Sequence, residues 1–400
     1  MNAKQFWETF SFEYNLNQED LFTDLIAIEG HKQAALNLML PPEWRAQLDR
    51  LNRVRAVHGT TAIEGNPFTE AEVDLQIFGQ PQGRESRQLS KEQLQIRNAQ
   101  RAQEWVSHRF VPGSSAVTLE DLLTMHQLVT EESDEGGNVP GRLRSYMVKV
   151  GLPEMGGVHY GAPHETLGEL MEEFISFLHS RGFQQNHPVI KALLAHFFLV
   201  TVHPFGDGNG RVSRLLEAGI LFQSEYNIHG FYGLSNYFYR NEVEYKQLLQ
   251  ECRQGTPFDV TPFIQFGVRG FAEELTGINN FVKNKLNRLF YRQMLEQCRR
   301  TFLSPRRRIL NDREFNLLNY LLSETEPTDP FSESGTQQVK LLDLIQSHYY
   351  RGAYSGLSQR TFSRELSRLR EEGFIKLPLD SNSSETIELD FNAIAKYTVG

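Results

Sequence analysis

The segment 203–214 reads HPFGDGNGRVSR and gathers side chains that suit chemistry on a phosphate ester. His203 can take a proton near neutral pH, and Asp207 offers the hard oxygen ligand with which proteins hold Mg²⁺ beside phosphates. Arg211 and Arg214 lie three residues apart, so we expect both guanidinium groups to leave one face of the first turn of a helix. The segment therefore predicts phosphoryl-type chemistry.

Glycines fill three of the five positions 206–210. A glycine adopts positive φ without steric cost, so consecutive N–H groups in such a loop can converge on an anion. The spacing predicts a helix that begins near Gly210, and the positive end of its dipole would point at the same place. These features favour a polyphosphate site.

Other kinds of site fit this segment less well. A Walker A loop requires Gly-Lys-Ser/Thr, which is absent, and a dinucleotide fingerprint requires a strand where the sequence predicts a helix. An EF-hand loop requires a further liganding acid, but the positions after Asn209 are Gly and Arg. A tight turn between core helices would explain the glycines but not the histidine, the aspartate and the two arginines together.

The segment resembles the signature of the Fic-domain family, H-P-F-x-D-G-N-G-R-x-x-R, at every defined position. The resemblance extends over residues 118–270. It implies transfer of AMP from ATP to a hydroxyl group of a target protein, with His203 as the general base and Asp207 as the Mg²⁺ ligand. It also implies that Phe205 is a core anchor that fixes the loop.

The same resemblance assigns the phosphate contacts. The amides of Gly208 and Gly210 and the side chain of Asn209 would cradle the phosphates, and Arg211 and Arg214 would hold the β and γ groups. The α-phosphorus would then lie in line with the attacking oxygen, and pyrophosphate would leave. This chemistry consists of positioning and charge neutralisation with one base.

A second pattern, Thr60-x-x-x-Glu64-Gly65, resembles the inhibitory motif of the same family, [ST]-x-x-x-E-[GN]. Its place before the catalytic segment resembles the subclass that carries the inhibitor on an N-terminal helix. Glu64 would pair with Arg214 and so occupy the cation that should hold the γ-phosphate. The alternative is that Glu64 is an ordinary loop acid.

Three further assignments concern residues outside these motifs. A predicted β-hairpin over 146–160 resembles the Fic flap, which aligns a target segment by adding a strand to its edge. Tyr245 lies where the family often places an aromatic residue near the adenine, and packing in the core is the alternative. His196 lies on the inner side of an apolar helix, so we expect a structural role for it.

Apolar residues three and four positions apart recur along most of the chain and predict helices, among them 6–37 and 42–57, with a break at 58–67. The predicted fold class is mainly α: a Fic-type helical core with a small β-hairpin flap, plus a C-terminal winged helix-turn-helix domain. The predicted domains are an N-terminal helical region with the inhibitory helix (1–110), the Fic catalytic core (111–275), a basic linker helix (276–308) and the winged-helix domain (309–400).

The predicted winged-helix domain contains Arg360, Arg364 and Arg368, which lie four residues apart. We expect them to form one exposed cationic stripe, as on a helix that reads DNA. Residues 309–400 nevertheless contain nine Lys or Arg against fourteen Asp or Glu. The pattern therefore leaves two interpretations open, a DNA-binding domain and a protein-interaction domain.

Composition limits the kinds of partner. The 400 residues carry a net charge of −9, which argues against binding of nucleic acid or anionic lipid over the whole surface. Apolar stretches are too short to span a bilayer, the first twenty residues do not fit a signal peptide, and two cysteines fit a reducing compartment. We expect a cytoplasmic protein without a membrane partner.

The leading interpretation is a self-inhibited protein adenylyltransferase that uses ATP and Mg²⁺ on a Ser, Thr or Tyr of a target protein. One alternative is removal of AMP from a modified protein, in which Glu64 would orient a water. Another is a DNA-binding regulator whose Fic core senses nucleotide. Self-modification and a homodimer remain open at this point.

Overall fold

The computed structural model describes residues 3–37, 40–79, 89–132, 137–151, 157–227, 230, 233–254, 257–305, 307–327, 338–378 and 385–398. The chain divides into two compact units, Met1–Leu275 and Thr276–Gly400. Helices predominate in both units, and the strands are short. The described part of the chain contains no helix that is both long and apolar enough to cross a membrane.

The first unit consists of twelve labelled helices and four strands within its described residues, and a thirteenth helix contains the boundary at residue 275. In chain order they are α1 (Ala3–Glu8), β1 (Tyr14–Asn15), α2 (Phe22–Leu36), α3 (Pro42–Ala62), α4 (Glu70–Phe78), α5 (Lys91–Arg109), α6 (Leu119–Thr130), β2 (Lys149–Val150), β3 (His159–Tyr160), α7 (Leu167–His179), α8 (Arg181–Gln184), α9 (Pro188–Val202), α10 (Asn209–Gln223), α11 (Ser235–Arg240), α12 (Glu242–Cys252), β4 (Phe258–Asp259) and α13 (Thr261–Arg300).

Helix α9 is the centre of this unit. It starts with Pro188 at its first turn, where a missing N–H costs nothing, and nearly every later residue is buried. A helix that is apolar all round must be surrounded by protein, and α10 packs along it. The loop between α9 and α10 is the segment 203–208, so this pair of helices fixes both ends of the predicted catalytic loop.

Helix α3 extends to Ala62, so the break predicted at 58–67 is wrong in its first residues. Gly59 does not end the helix. A Cβ on it would lie 2.6 Å from the carbonyl oxygen of Ser235, so glycine allows α3 to approach α11 closely. The helix therefore carries Thr60, and Glu64 follows directly after its end.

The helix predicted over 6–37 is also wrong, because a strand interrupts it. β1 pairs in parallel with β4, with Tyr14 opposite Phe258. The strand is only two residues long and its partner lies more than 240 residues away. A periodicity confined to neighbouring residues does not contain that pairing.

The flap is a two-stranded antiparallel sheet, as the sequence predicts. Lys149 lies opposite Tyr160, and Val150 lies opposite His159. Residues 152–156 of the predicted hairpin lie outside the described residues.

The second unit has its own core. After α13 its elements are β5 (Phe302–Ser304), β6 (Arg307–Arg308), α14 (Asp312–Glu324), β7 (Gln338–Lys340), α15 (Leu341–Gln346), α16 (His348–Ala353), α17 (Gln359–Glu371), β8 (Ile375–Lys376), β9 (Thr386–Leu389) and α18 (Ala393–Thr398). β9 is the central strand of an antiparallel sheet in the order β7-β9-β8.

The segment 276–308 differs from the predicted solvated linker. Tyr291, Met294 and Cys298 of α13 are buried in the same core as Phe362 and Leu366 of α17. The second half of α13 is therefore part of the second unit, because an apolar face runs along this basic helix and packs inward.

The predicted cationic stripe is shorter than expected. Arg360 and Arg364 are exposed. Arg368 instead donates to both carboxylate oxygens of Glu314, at 2.7 and 2.9 Å, and to the carbonyl oxygen of Ile309 at 2.6 Å. Because Glu314 is buried, its charge draws Arg368 inward, and two of the three arginines remain on the surface.

Candidate active site

His203 directly follows α9 and has a left-handed backbone, with φ 54°. Its Nδ1 lies 3.3 Å from the carbonyl oxygen of Val200. A carbonyl oxygen only accepts hydrogen bonds, so Nδ1 carries the proton and Nε2 keeps its lone pair. Burial, together with the charges of Arg253 and Arg144, lowers the pKa of His203 to about 4, although the bond to Val200 acts in the other direction. The imidazole is therefore a neutral base at neutral pH.

The loop after His203 is held by its own side chains. Phe205 is fully buried and stacks on His126, with ring centroids 4.0 Å apart, which agrees with the implied anchor. The Asn209 side chain accepts from the N–H of Phe205 at 2.9 Å and donates to its carbonyl oxygen at 2.8 Å. Asn209 thus closes the loop, whereas the resemblance implies that its side chain contacts phosphate.

Gly208 and Gly210 have different structural roles at the start of α10. Gly208 has φ 79° and precedes the helix, which begins at Asn209, one residue before the predicted start. A Cβ on Gly210 would lie 2.6 Å from Oε1 of Glu64 and 3.1 Å from Nη1 of Arg214. Glycine at position 210 therefore leaves room for the Glu64 carboxylate beside Arg214.

Asp207 and Arg211 bind each other. Nη2 of Arg211 donates to Oδ2 of Asp207 at 2.5 Å, and Nη1 donates to the carbonyl oxygen of Val129 at 3.1 Å. Arg211 is buried by these contacts, so it does not stand beside Arg214 as a second free cation. Among the described residues no three His, Cys, Asp or Glu side chains form a metal-binding group. The contact of Arg211 is to Oδ2 of Asp207, and Oδ1 is the other oxygen of that carboxylate.

Arg214 is bound to the end of α3. Its Nε donates to Oγ1 of Thr60 at 2.8 Å, and its Nη2 donates to the carbonyl oxygen of Thr60 at 3.1 Å and to Oε1 of Glu64 at 2.6 Å. The side chain of Arg214 is 2% exposed and that of Glu64 32%. Burial alone would raise the pKa of Glu64, but the charges of Arg214 and Arg211 outweigh it and hold the pKa below its ordinary value. Glu64 is therefore ionised at neutral pH.

A cavity of about 390 Å³ brings these groups together. It is lined by five of the residues singled out in the sequence, which are His203, Gly210, Arg214, Glu64 and Tyr245. Asp207, Gly208, Asn209 and Arg211 are not among its lining residues and lie in the loop and helix turn that support it. The cavity therefore has a neutral base, a backbone amide, one carboxylate and a buried cation in its wall.

The sequence analysis did not single out two cations in the same wall. Lys246 of α12 and Arg253, which directly follows α12, line the cavity. Arg253 donates to Oγ1 of Thr201 at 3.1 Å. No spacing in the sequence links these two cations with 203–214, because they reach the site only through packing. Val150 and Gly151, which lie in the predicted flap, line the cavity as well.

Tyr245 is part of a buried hydrogen-bond chain as well as of the cavity wall. Its hydroxyl lies 2.9 Å from Nε2 of His196, whose Nδ1 lies 2.8 Å from Oε2 of Glu217. Its ring stacks on Phe238 with centroids 4.7 Å apart. Burial raises the pKa of Tyr245 to about 12, so the phenol stays protonated. His196 is packed inside the unit, in agreement with the structural role expected for it.

Known proteins share sequence similarity with the segment that carries this site. The model of the Fic/DOC family matches residues 116–221. Over 215 residues the chain is 31% identical to a protein adenylyltransferase Fic of Aedes aegypti, and over 219 residues it is 28% identical to one of Nematostella vectensis. Each match covers 53% of this chain, and 39% and 45% of those proteins respectively, so the chain spans less than half the length of these curated relatives.

Among solved structures, the fold is similar to that of a Fic family protein from Desulfovibrio desulfuricans G20. The TM-score is 0.54 at 20% identity, and the match covers 95% of this chain and 98% of that one. At this identity the likeness concerns the fold alone. Residues 116–221 therefore match the Fic/DOC family in sequence, and the fold of the chain is similar to that of a Fic family protein.

Proposed function

We propose that this chain is a protein adenylyltransferase that transfers AMP from ATP to a Ser, Thr or Tyr hydroxyl of a target protein. One observation carries the proposal: the neutral His203 and the buried Arg214 line a single cavity, and Gly210 lines it as well. The names of the related proteins support the same activity.

In the proposed reaction, Nε2 of His203 takes the proton of the acceptor hydroxyl while its oxygen attacks the α-phosphorus of ATP. The bond to the bridging oxygen breaks, and pyrophosphate leaves with the electron pair. Arg214 and the first amides of α10 neutralise the charge on the phosphates. Since the phosphates bring most of the reacting charge, positioning and neutralisation are the main tasks of the protein.

Asp207 fits a magnesium ion that is shared with the nucleotide. Mg²⁺ is usually held by one or two carboxylates together with substrate phosphates, and Oδ1 of Asp207 would serve that purpose, since the contact of Arg211 is to Oδ2. When bound, the ion would offset the negative charge of the phosphates. Arg211 would then orient the carboxylate instead of holding the β-phosphate directly.

We further propose that Glu64 inhibits the enzyme. The carboxylate is ionised and occupies Nη2 of Arg214, so a nucleotide phosphate must displace it before the cation can be used. The hydrogen bond from Nε of Arg214 to Oγ1 of Thr60 supports the same inhibited state, because it orients the guanidinium toward the end of α3. The inhibitor belongs to this chain and needs no partner.

Transfer of label from α-labelled ATP in the presence of Mg²⁺ tests the proposal. Wild type, Glu64→Gly and the double variant Glu64→Gly with His203→Ala are compared, with the chain itself and a cell lysate as acceptors, so that self-modification is scored separately. We expect strong labelling by Glu64→Gly, weak labelling by wild type and none by Glu64→Gly combined with His203→Ala. Absence of label from every folded variant would refute adenylyl transfer.

The opposite reaction has one specific observation in its favour. Glu64 and His203 line the same cavity, and Glu64 is ionised, so Glu64 could orient a water toward AMP on a modified protein. That function predicts release of AMP from an adenylylated protein by wild type and its loss in Glu64→Gly.

A DNA-binding role of the second unit is tested by a mobility-shift experiment. The exposed Arg360 and Arg364 are the residues to replace in it.

A further inference from the structure

Arg144 is a buried cation outside the signature segment. Its side chain donates three hydrogen bonds, all to backbone carbonyl oxygens: Nε to His203 at 2.8 Å, Nη1 to Tyr146 at 2.7 Å and Nη2 to Ala162 at 2.5 Å. Its own N–H donates to the carbonyl oxygen of Pro204 at 3.0 Å. The residue as a whole is 5% exposed.

The three carbonyl groups belong to three different segments. Tyr146 precedes β2 and Ala162 follows β3, so they are the two ends of the flap, while His203 is the proposed base. One guanidinium therefore joins both ends of the flap to the backbone of the base. The backbone bond from the N–H of Ala162 to the carbonyl oxygen of Val202, at 3.0 Å, runs beside this contact.

Gly161 shows how closely these segments approach. A Cβ at this position would lie 2.8 Å from Nη2 of Arg144 and 3.2 Å from Cβ of His203. The position has no positive φ in the structure, so the need for glycine comes from the space and not from the backbone conformation. The flap, Arg144 and the base are thus in direct contact.

An arginine suits this place better than any other cation. Its guanidinium is planar and holds its N–H groups in a rigid fork, so it can reach three fixed acceptors at once, whereas a lysine ammonium acts from one point. Burial lowers the pKa of Arg144 to about 10, so it remains charged at neutral pH. A desolvated charge is tolerated only when it is hydrogen-bonded, and these bonds form only while the three segments stay together.

We propose that Arg144 is a positioning residue that fixes the flap relative to His203, and so fixes how an acceptor hydroxyl lying along the flap meets Nε2. The proposal rests on the proposed function. Val150 and Gly151, at the end of the flap nearest the cavity, line the same space as His203, so a shift of the flap changes the approach to the base directly. Arg144 itself is not a lining residue of the cavity, so the nucleotide does not need it.

Hydrogen exchange tests the contact without any assay of transfer. The variants are Arg144→Met, Arg144→Lys and Gly161→Ala, and the matched control is Arg142→Met, which removes an exposed arginine two residues away. We expect the amides of Gly161 and Ala162 to exchange at least tenfold faster in Arg144→Met and Gly161→Ala, less so in Arg144→Lys, and at the wild-type rate in the control. Wild-type exchange in Arg144→Met, or in a folded Arg144→Lys if Arg144→Met does not fold, would overturn the proposal.

Measurements of label transfer and of ATP binding then distinguish a positioning role of Arg144 from a merely structural one. In a Glu64→Gly background we expect Arg144→Lys to lower label transfer at least tenfold while the Kd for ATP stays within about twofold of the parent. An equal loss of ATP affinity would overturn the positioning role. If the Glu64→Gly parent transfers no label, the proposed function fails, and the exchange experiment still decides whether Arg144 holds the flap to the base.

Discussion

Replacement of Glu64 by Gln is expected to tighten ATP binding by about 5- to 12-fold. Glu64 Oε1 lies 2.6 Å from Nη2 of Arg214, and Arg214 is almost completely buried. A hydrogen bond to a charged group contributes roughly 1.5–3 kcal/mol and a neutral one about 0.5–1.5 kcal/mol, so removal of the charge weakens the bond by roughly 1–1.5 kcal/mol. A difference of about 1.4 kcal/mol corresponds to tenfold in affinity. A phosphate that takes Nη2 must break this bond, so the free energy of the bond is subtracted from that of ATP binding. The glutamine side chain has nearly the same shape as that of Glu64 but carries no charge.

Isothermal titration of ATP into wild type and Glu64→Gln measures the effect without any transfer step. The matched control is Asp74→Asn, which removes another arginine–carboxylate pair of the first unit, 2.6 Å long, between Arg50 of α3 and Asp74 of α4. Neither residue lines the cavity. We expect ATP affinity in the control to equal that of wild type. A Kd for Glu64→Gln within twofold of wild type, in a folded protein, would refute the inhibitory role of the pair.

Three further outcomes are expected. Because burial lowers the pKa of His203 to about 4, a general base at this position stays neutral as the pH falls. The kcat/KM of the Glu64→Gly variant at pH 5.5 should therefore be close to its value at pH 7. A base with an ordinary histidine pKa would lose about tenfold in kcat/KM over the same range. Arg368→Met should lower the free energy of unfolding of the second unit by about 3–5 kcal/mol in a denaturant titration, because it leaves the buried Glu314 unpaired, and Arg364→Met on the exposed face should change it by less than about 0.5 kcal/mol. Gly208→Ala should cost about 1–2 kcal/mol in thermal unfolding, since φ is 79° and a Cβ would meet the Thr130 side chain at 3.0 Å; an unchanged midpoint would contradict the strain.

Local patterns in the sequence were sufficient for several elements. The capping boxes at Thr69 and Thr118 start α4 and α6 where a hydroxyl residue precedes an acid by three positions. The flap strands follow from alternation of side chains around glycines. These features depend on residues within a few positions of each other, which is the range over which a single sequence is informative.

Predictions failed where a distant segment decides the local conformation. Gly59 belongs to a glycine-containing segment that is typical of a helix break, but the close approach of α11 makes glycine necessary inside α3. Arg368 has the spacing of an exposed stripe, but the buried carboxylate of Glu314 lies 54 residues away in the chain and binds it. In both cases the deciding contact is absent from the surrounding sequence.

The sequence by itself determined the chemical groups of the site: a histidine, a carboxylate, three glycines and two arginines within twelve residues, and a glutamate predicted to oppose one of the arginines. The tertiary structure decided which of these groups face the cavity. It turns Arg211 onto Asp207, joins Arg214 to Thr60 and Glu64, and brings Arg144 against the backbone of the base. Spacing along a helix sets the direction in which a side chain leaves the backbone, but its partner is whichever segment packs there, and that packing depends on the whole chain.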